Sequence, residues 1–198
     1  MEEQVSKFEM AIAQIDAENA EDPNKEIIGN AEFPKELLYS RRMTEKLLDF
    51  CPDASAELQI AARAQHICRW KIDRNTYPMD RTGYLKWREA LKKFHADKIS
   101  EILKDLGYDE IFTARVTVLI RKKQLKKDPE SQILEDVVCL VFLQYYFKDF
   151  AAGHPEEKVI DIVRKTWAKM SESGHRAALR LRLSPEASAL IEKALGGD

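Results

Sequence analysis

The sequence predicts an all-α fold, a helical bundle that forms a single domain over residues 1–198. Apolar residues recur at three- and four-residue spacing through most of the chain, which is the helical period. Only 7 Gly and 7 Pro occur, too few for a fold made of many strands and turns. Prolines also open apolar periodic segments at Pro34, Pro129 and Pro155, where a first helical turn tolerates them. These three observations favour helices over strands.

Composition narrows the classes of protein to consider. The chain is 44% hydrophobic and 33% charged, so it can bury a core and solvate its surface. A net charge of −2 gives no general attraction for nucleic acid, so we do not expect it as a partner. The N-terminal segment lacks the pattern of a signal peptide, and the apolar run at residues 137–143 is too short to span a membrane. We expect a soluble cytoplasmic protein with no membrane contact.

The first third of the chain predicts three helices. The first carries Val5, Phe8, Ile12 and Ile15 at helical spacing and ends at the turn-forming residues 22–24. Residues 24–34 are predicted to form a loop. Pro34 then opens a helix that ends near Cys51, and Asp53 is the expected cap of the next one. That third helix is apolar all round, as expected of a central helix, and it ends in the basic and aromatic string at residues 68–71.

The remaining elements follow the same logic. Residues 71–83 lack a period and are predicted to form a binding loop. A long helix is expected from about Tyr84 to Leu106, with Gly107 beyond its end. Another helix starts at Asp109, and a core helix over residues 131–150 follows the Asp128-Pro129 start. The break at residues 153–155 opens a helix to about Ser173, and two short helices complete the chain.

Polar residues interrupt three of the predicted core helices, and together they predict one shared site. Gln65 and His66 lie in one apolar helix, His95 in another, and the pair Glu135-Asp136 in a third. Burial of such groups costs several kcal/mol unless they are paired. Asp136 shares a helix face with apolar residues, so its carboxylate needs a metal, an Arg or a His. The alternatives are a buried ion pair and core histidines that bond neighbouring carbonyl groups.

The predicted catalytic residues are therefore His66, His95 and Asp136. The same three side chains, with Glu135 as an alternative ligand, are the predicted metal ligands. Two imidazoles and a carboxylate suit Mn, Fe, Ni or Zn, so one divalent metal is the expected cofactor. Without a metal, a histidine can act alone as an acid or base.

A basic and aromatic stretch supplies the predicted substrate-binding residues. Guanidinium groups bind phosphate, and aromatic faces stack on a base or sugar. Trp70 and Trp87 are equally well explained as anchors of a packed loop. Glycine-rich phosphate loops and the GxSxG and HExxH motifs are absent from the sequence. The predicted set is Arg69, Trp70, Arg74, Tyr77, Asp80, Arg81, Arg88 and Lys92.

Four strings resemble, in their order, the HD-domain phosphohydrolases. They are residues 38–43, residues 61–67, His95 and residues 134–140. The resemblance covers about residues 34–150 and implies an HD-like helical core with extra helices at both ends. The family binds divalent metal through His and Asp side chains. Here Tyr39 stands at the place of the first His, and Gln65-His66 at the place of the His-Asp pair, so the metal motif is degraded.

The chain is also similar, over nearly its whole length, to a family of short bacterial and fungal proteins known only as a domain of unknown function. The strings that carry this similarity are residues 38–44, 64–70, 77–81 and 92–95. The resemblance implies no activity. It implies only that His66, His95 and the neighbouring Arg, Trp, Tyr and Asp residues belong to the family's signature strings.

Two functions remain open at this point. The first is a polar pocket for a phosphorylated or nucleotide-like small molecule, in which a metal activates water for hydrolysis of a phosphoester. The second is a catalytically inactive HD-like binding or scaffolding module that holds no metal. Binding of RNA by residues 69–93 is a third, weaker reading.

Overall fold

The computed structural model describes residues 6–122 and 125–196. Within them the prediction of an all-α fold is confirmed, because helices account for most residues and the strands form one short hairpin. The α-helices are α1 (Lys7–Ala20), α2 (Lys35–Phe50), α3 (Ala56–Arg63), α4 (Arg81–Asp105), α5 (Glu110–Arg121), α6 (Pro129–Val141), α7 (Phe147–Ala152), α8 (Glu156–Trp167), α9 (Glu172–Ala178) and α10 (Pro185–Gly196). Val5, assigned above to the first helix, lies outside the described residues.

Side-chain caps explain where several helices begin. Ser6 and Glu9 form a reciprocal capping box at α1, which satisfies two backbone N–H groups of the first turn. Asp109 and Asp128 cap α5 and α6 as predicted. The prediction that Asp53 caps α3 is wrong. Ser55 caps this helix, and its side chain accepts the backbone N–H of Leu58.

The loop predicted over residues 24–34 is instead an antiparallel hairpin. Strands β1 (Lys25–Ile28) and β2 (Ala31–Pro34) pair in register, with Ile28 opposite Ala31. Gly29 has φ +61° in the two-residue turn, a conformation that glycine adopts without strain. A Gly-Asn pair between short apolar segments is a hairpin signal, so the sequence did contain the information.

The helix predicted through Gln65 and His66 ends earlier, and this places the histidine on a turn. α3 stops at Arg63, and Cys68 adopts a left-handed backbone with φ 53°. The backbone N–H of Cys68 donates to Asn19 Oδ1 at 3.0 Å, which fixes the turn against α1. Short 3₁₀ turns follow at Arg69–Lys71 and Arg74–Thr76. His66 therefore projects from a rigid, buried turn.

Three other boundaries differ from the prediction. α4 begins at Arg81 because Asp80 caps it, accepting the N–H of Gly83 at 2.6 Å. The helix predicted over residues 131–150 contains a π-helical turn, Phe142–Tyr146, between α6 and α7. α8 ends at Trp167, before the capping Ser171 of α9.

Two hydrophobic clusters hold the helices together. One is built mainly from α1 to α6 and includes Met43, Ile67 and Leu119. The other joins the end of α6 to the C-terminal helices around Phe147 and Val163. α6 contributes to both clusters. Across the part of the chain that the structure describes, no helix is both long and apolar enough to cross a bilayer.

Candidate functional site

His66 lies at the centre of a polar cluster, in contact with residues of α2 and of the 3₁₀ turn that follows the histidine. Its imidazole stacks on the buried ring of Tyr39, with centroids 4.0 Å apart and planes 10° from parallel. His66 Nδ1 lies 3.3 Å from Glu36 Oε2, and its Nε2 lies 3.3 Å from Arg69 Nη1. The ring is 27% exposed, so solvent reaches it. α2 thus supplies two contacts to the histidine, and the 3₁₀ turn supplies the third.

These contacts define the protonation state of His66. A guanidinium can only donate, so Nε2 must accept, and in the neutral ring Nδ1 carries the proton, on the side that faces Glu36. Burial lowers the pKa of His66 well below its ordinary value, and the charges of Arg69, Lys122 and Arg88 act in the same direction. His66 is therefore a neutral imidazole in positive surroundings.

Glu36 is the acidic partner, placed in the first turn of α2. Its backbone N–H donates to Asp22 Oδ2 at 3.0 Å, which fixes the start of the helix. Burial raises the pKa of Glu36 to about 7, although the nearby charge of Arg69 opposes the shift. The carboxyl group is consequently poised to gain or lose a proton near neutral pH.

His95 lies beneath His66, with ring centroids 6.1 Å apart. Its Nδ1 donates to the carbonyl of Ile67 at 2.8 Å, so Nε2 is the unprotonated nitrogen. This Nε2 is buried and has no hydrogen-bond partner among the described residues, as is also true of Gln65 Oε1. A buried acceptor without a donor costs about 1–3 kcal/mol, so it suits an ordered water or a ligand hydroxyl.

Burial, reinforced by His66, lowers the pKa of His95 from 6.5 to about 3. The unfolded chain therefore binds a proton there more readily, so the contribution to stability is full above about pH 6.5 and is lost as the pH falls towards 3. As the pH falls from about 6 to 4, we predict that the unfolding free energy of the wild type decreases faster than that of His95→Asn. The difference between the two slopes should be about 1.4 kcal/mol per pH unit. Urea denaturation at several pH values measures both slopes.

Glu36 contributes with the opposite sign, because a raised pKa gives stability below about pH 4.5 that is lost as the pH rises to about 7. Both proteins share that contribution, so their difference isolates the histidine. Equal slopes for the wild type and His95→Asn would show that His95 titrates normally, contrary to its burial.

Asp136 does not join the two histidines, which corrects the expectation of a three-residue site. Its carboxylate accepts the backbone N–H and the hydroxyl of Ser171, at 2.8 and 2.6 Å, and an amide N–H of Gln132 at 3.3 Å. The expected partner, a metal, an Arg or a His, is thus replaced by Ser and Gln. The contacts hold the start of α9 against α6.

Glu135 is paired with lysines. Lys122 Nζ lies 2.7 Å from Glu135 Oε2, and Lys169 Nζ lies 3.8 Å from its Oε1. Burial alone would raise the pKa of Glu135, but the two lysines bring it below its ordinary value. Glu135 therefore forms a buried ion pair with lysines, whereas the sequence suggested an Arg partner and placed it at Asp136.

The donor set does not fit the predicted metal centre. Within residues 6–122 and 125–196, no group of three or more His, Cys, Asp or Glu side chains is arranged to hold a metal ion. His66 already uses both ring nitrogens, and Asp136 is held by Ser171. Binding of a divalent metal stays a prediction, and His66, His95, Glu135 and Asp136 together do not supply its ligands.

The predicted substrate-binding arginines are partly organised by Trp87. The Arg69 guanidinium lies 4.7 Å from the centroid of the Trp87 ring, and that of Arg74 lies 5.9 Å from it. The Trp87 N–H donates to the carbonyl of Ile72, as expected of a loop anchor, and its ring also faces the two arginines. Arg74 donates to the backbone carbonyls of Tyr77, Pro78 and Asp80, so it holds the loop together.

The other predicted binding residues occupy different surroundings. Trp70 is half-buried against the first hydrophobic cluster, which fits an anchor. Asp80 caps α4, while Arg81 is exposed at the start of that helix. Arg88 lies over the Tyr84 ring at 5.7 Å, and Lys92 contacts Glu89 on the surface at 3.5 Å. Whether these residues bind a substrate stays a prediction.

The predicted site did not include three residues that lie in or beside the His66 cluster: Glu36, Lys122 and Tyr39. Glu36 looks like an ordinary first-turn acid, and nothing in the sequence marks it as buried. Lys122 belongs to a basic stretch with an ordinary surface composition. In the resemblance to HD-domain proteins, Tyr39 stands at the place of a histidine. Its ring stacks on His66.

The comparisons with known proteins identify the family. No curated protein and no solved structure matches the chain, so the likeness to HD-domain phosphohydrolases stays a prediction. The model of a family described as a domain of unknown function, DUF4202, matches residues 9–191. That span covers the whole His66 cluster and nine-tenths of the sequence. The chain therefore belongs to the DUF4202 family, as the sequence strings around His66 and His95 predicted.

Proposed function

We propose that the chain binds a small phosphate-bearing molecule at the cluster of Glu36, His66, Arg69 and His95. The observation that carries this proposal is the solvent-accessible, neutral His66 ring in the positive field of several cations. These cations come from separate elements: Lys35 opens α2, Arg88 lies on α4 and Lys122 follows α5. Convergent positive charge at a partly buried point attracts phosphate.

Arg69 is the proposed phosphate-binding residue. Its contact with the Trp87 ring restrains the guanidinium group before any ligand arrives, which reduces the entropy cost of binding. The acceptor in its present contact, His66 Nε2, is uncharged and 3.3 Å away, so a phosphate oxygen is a better acceptor. When Arg69 turns to the phosphate, Nε2 becomes free to accept a hydrogen bond from the ligand.

The neighbouring aromatic surface favours a nucleotide-like ligand. Tyr84 is 43% exposed, and its ring lies beside both Trp87 and Arg88. An exposed ring next to a cation can stack a base while the cation binds phosphate. The unpaired Nε2 of His95 provides an acceptor for a sugar hydroxyl or for a water that bridges to the ligand.

Hydrolysis of a phosphoester is the second candidate, and Glu36 favours it. A carboxyl group with a pKa of about 7, 3.3 Å from an imidazole, can supply or remove a proton at neutral pH. This reading needs the same residues as binding, and it requires no metal ligand from Asp136.

Calorimetric titration in the presence of a chelator tests the proposal. The probes are inorganic phosphate, phenyl phosphate, adenosine mono- and diphosphate, and adenosine as the matched compound without phosphate. We expect at least one phosphorylated probe to bind, more weakly at high salt because the attraction is electrostatic. Binding of no probe, or of adenosine as tightly as its phosphates, would overturn the proposal. Release of inorganic phosphate from a bound probe in chelator would support hydrolysis.

A further inference from the structure

A cavity lies away from the His66 cluster. Its volume is about 560 Å³, and it is bounded by the end of α2, the junction of α6 with the π-helical turn, and α9 with the residues that follow it. Cavities of roughly 300–1,000 Å³ hold small organic ligands. Along α2, Lys46 in this cavity is ten residues beyond Glu36, which corresponds to about 15 Å. The two regions are therefore separate.

The lining is strongly positive although the whole chain is slightly negative. Lys46, Arg176, Arg180 and Arg182 line the cavity, against the single carboxylate of Asp49. Asp49 lies 3.4 Å from Lys46, so this acid is already paired on the cavity wall. A cavity wall with such an excess of cations concentrates anions from solution.

Two of these cations, Arg180 and Arg182, are available for a ligand, whereas Arg176 already has partners. Arg176 donates to the hydroxyl of Ser173 at 2.8 Å and lies 3.9 Å from Glu172. Arg180 and Arg182 are exposed, and the guanidinium group of neither has a hydrogen bond or an ion pair with any described residue. A pair of unpaired guanidinium groups beside a cavity can grip a carboxylate or phosphate from two directions.

The floor of the cavity is apolar. Phe50, Leu140 and Leu181 contribute to it. Phe50 packs against both hydrophobic clusters, so the cavity lies on the seam between them. An apolar floor under a cationic rim suits a molecule with a hydrocarbon or aromatic body and an anionic head, because each part meets its matching surface.

The π-helical turn provides an independent indication. π-helical turns inside α-helices occur frequently at functional sites. Gln144 of this turn lines the cavity, and Tyr146 of the same turn accepts a hydrogen bond from Arg42 at 2.9 Å. The Tyr146 ring lies 6.0 Å from that of Tyr39, which stacks on His66. One irregular turn thus contacts the residues of both regions.

We propose that this cavity is a second binding site, for a small organic anion with an apolar body, gripped by Arg180 and Arg182. The shared chemistry of the ligand is a carboxylate or phosphate head on an acyl or aryl group. The proposal stands apart from the function proposed for the His66 cluster, because it uses none of the same residues.

Binding of octanoate and octyl phosphate to the full chain tests the proposal. Octanol serves as the probe of the apolar body alone, and inorganic phosphate as the probe of the anionic head group alone. The test variant is Arg180→Ala with Arg182→Ala. The matched control is Lys148→Ala with Lys158→Ala, which removes two exposed positive charges outside the cavity. All four substituted side chains are exposed, so both variants should melt at the wild-type temperature.

We expect one molecule of octanoate or octyl phosphate to bind, and the double arginine variant to bind it at least about 10-fold more weakly than the control. The preferred probe identifies the head group. Binding of octanol as tightly as the anions, equal affinities of the two double variants, or no binding at all would each overturn the proposal.

Discussion

Replacing Asp136 with Ala is expected to lower the free energy of unfolding by about 3–5 kcal/mol, because each donor that loses its buried acceptor costs about 1–3 kcal/mol. The carboxylate is 1% exposed and is held by Ser171 and Gln132. Its removal leaves the N–H and hydroxyl groups of Ser171 without an acceptor and frees the start of α9. Denaturation by urea measures the loss.

A second substitution reports on the same contact from the opposite side. A Cβ atom on Gly174 would lie 2.5 Å from Asp136 Oδ1, so Gly174→Ala should also destabilise the chain. Asp161→Ala, on the exposed face of α8, is the control and should change stability by less than about 0.5 kcal/mol. If Asp136→Ala keeps wild-type stability and loses ligand binding, Asp136 is a site residue, as the sequence alone predicted.

Replacing Arg69 with Ala is expected to weaken binding of a phosphate-bearing probe by about 10- to 100-fold, the equivalent of a lost charged hydrogen bond. Arg69 is the only described cation in hydrogen-bond contact with His66, and it lies 3.9 Å from Glu36. Titration calorimetry with the tightest probe measures the change.

Arg74→Ala is the matched control, because both guanidinium groups lie over Trp87 but Arg74 donates only to backbone carbonyls. It should reduce stability by about 1–2 kcal/mol and leave the affinity within a few-fold of the wild type. Equal losses of affinity in the two variants would mean that the loop, and not the Arg69 contact, determines binding.

Most helices could be predicted from the sequence, because their signals are local. Periodic apolar residues, and caps such as Asp109 and Asp128 with Pro129 behind it, depend only on near neighbours. The end of α3 could not be predicted in this way. The turn that follows it depends on Asn19, which lies 49 positions earlier and accepts the N–H of Cys68.

The candidate site could be predicted only in part, because several of its contacts join residues that are distant in the sequence. His66 and His95 do meet, as their positions on apolar segments indicated. Asp136 was placed with them because a buried carboxylate needs a partner, but that rule does not say which partner it will be. Here a serine hydroxyl and backbone N–H satisfy it. Glu36 was missed because burial of a first-turn acid depends on packing between helices distant in the sequence.

We propose that His66 and His95 are neutral, carry their protons on Nδ1, and form a site for phosphate in the absence of a metal. Long-range ¹H–¹⁵N NMR of the histidine rings at about pH 7, with chelator, tests it most directly. We expect protonated Nδ1 and unprotonated Nε2 in both rings, and movement of the His66 Nε2 signal when the tightest phosphate-bearing probe is added. A charged His66 ring, or signals that stay fixed while that probe binds, would contradict it.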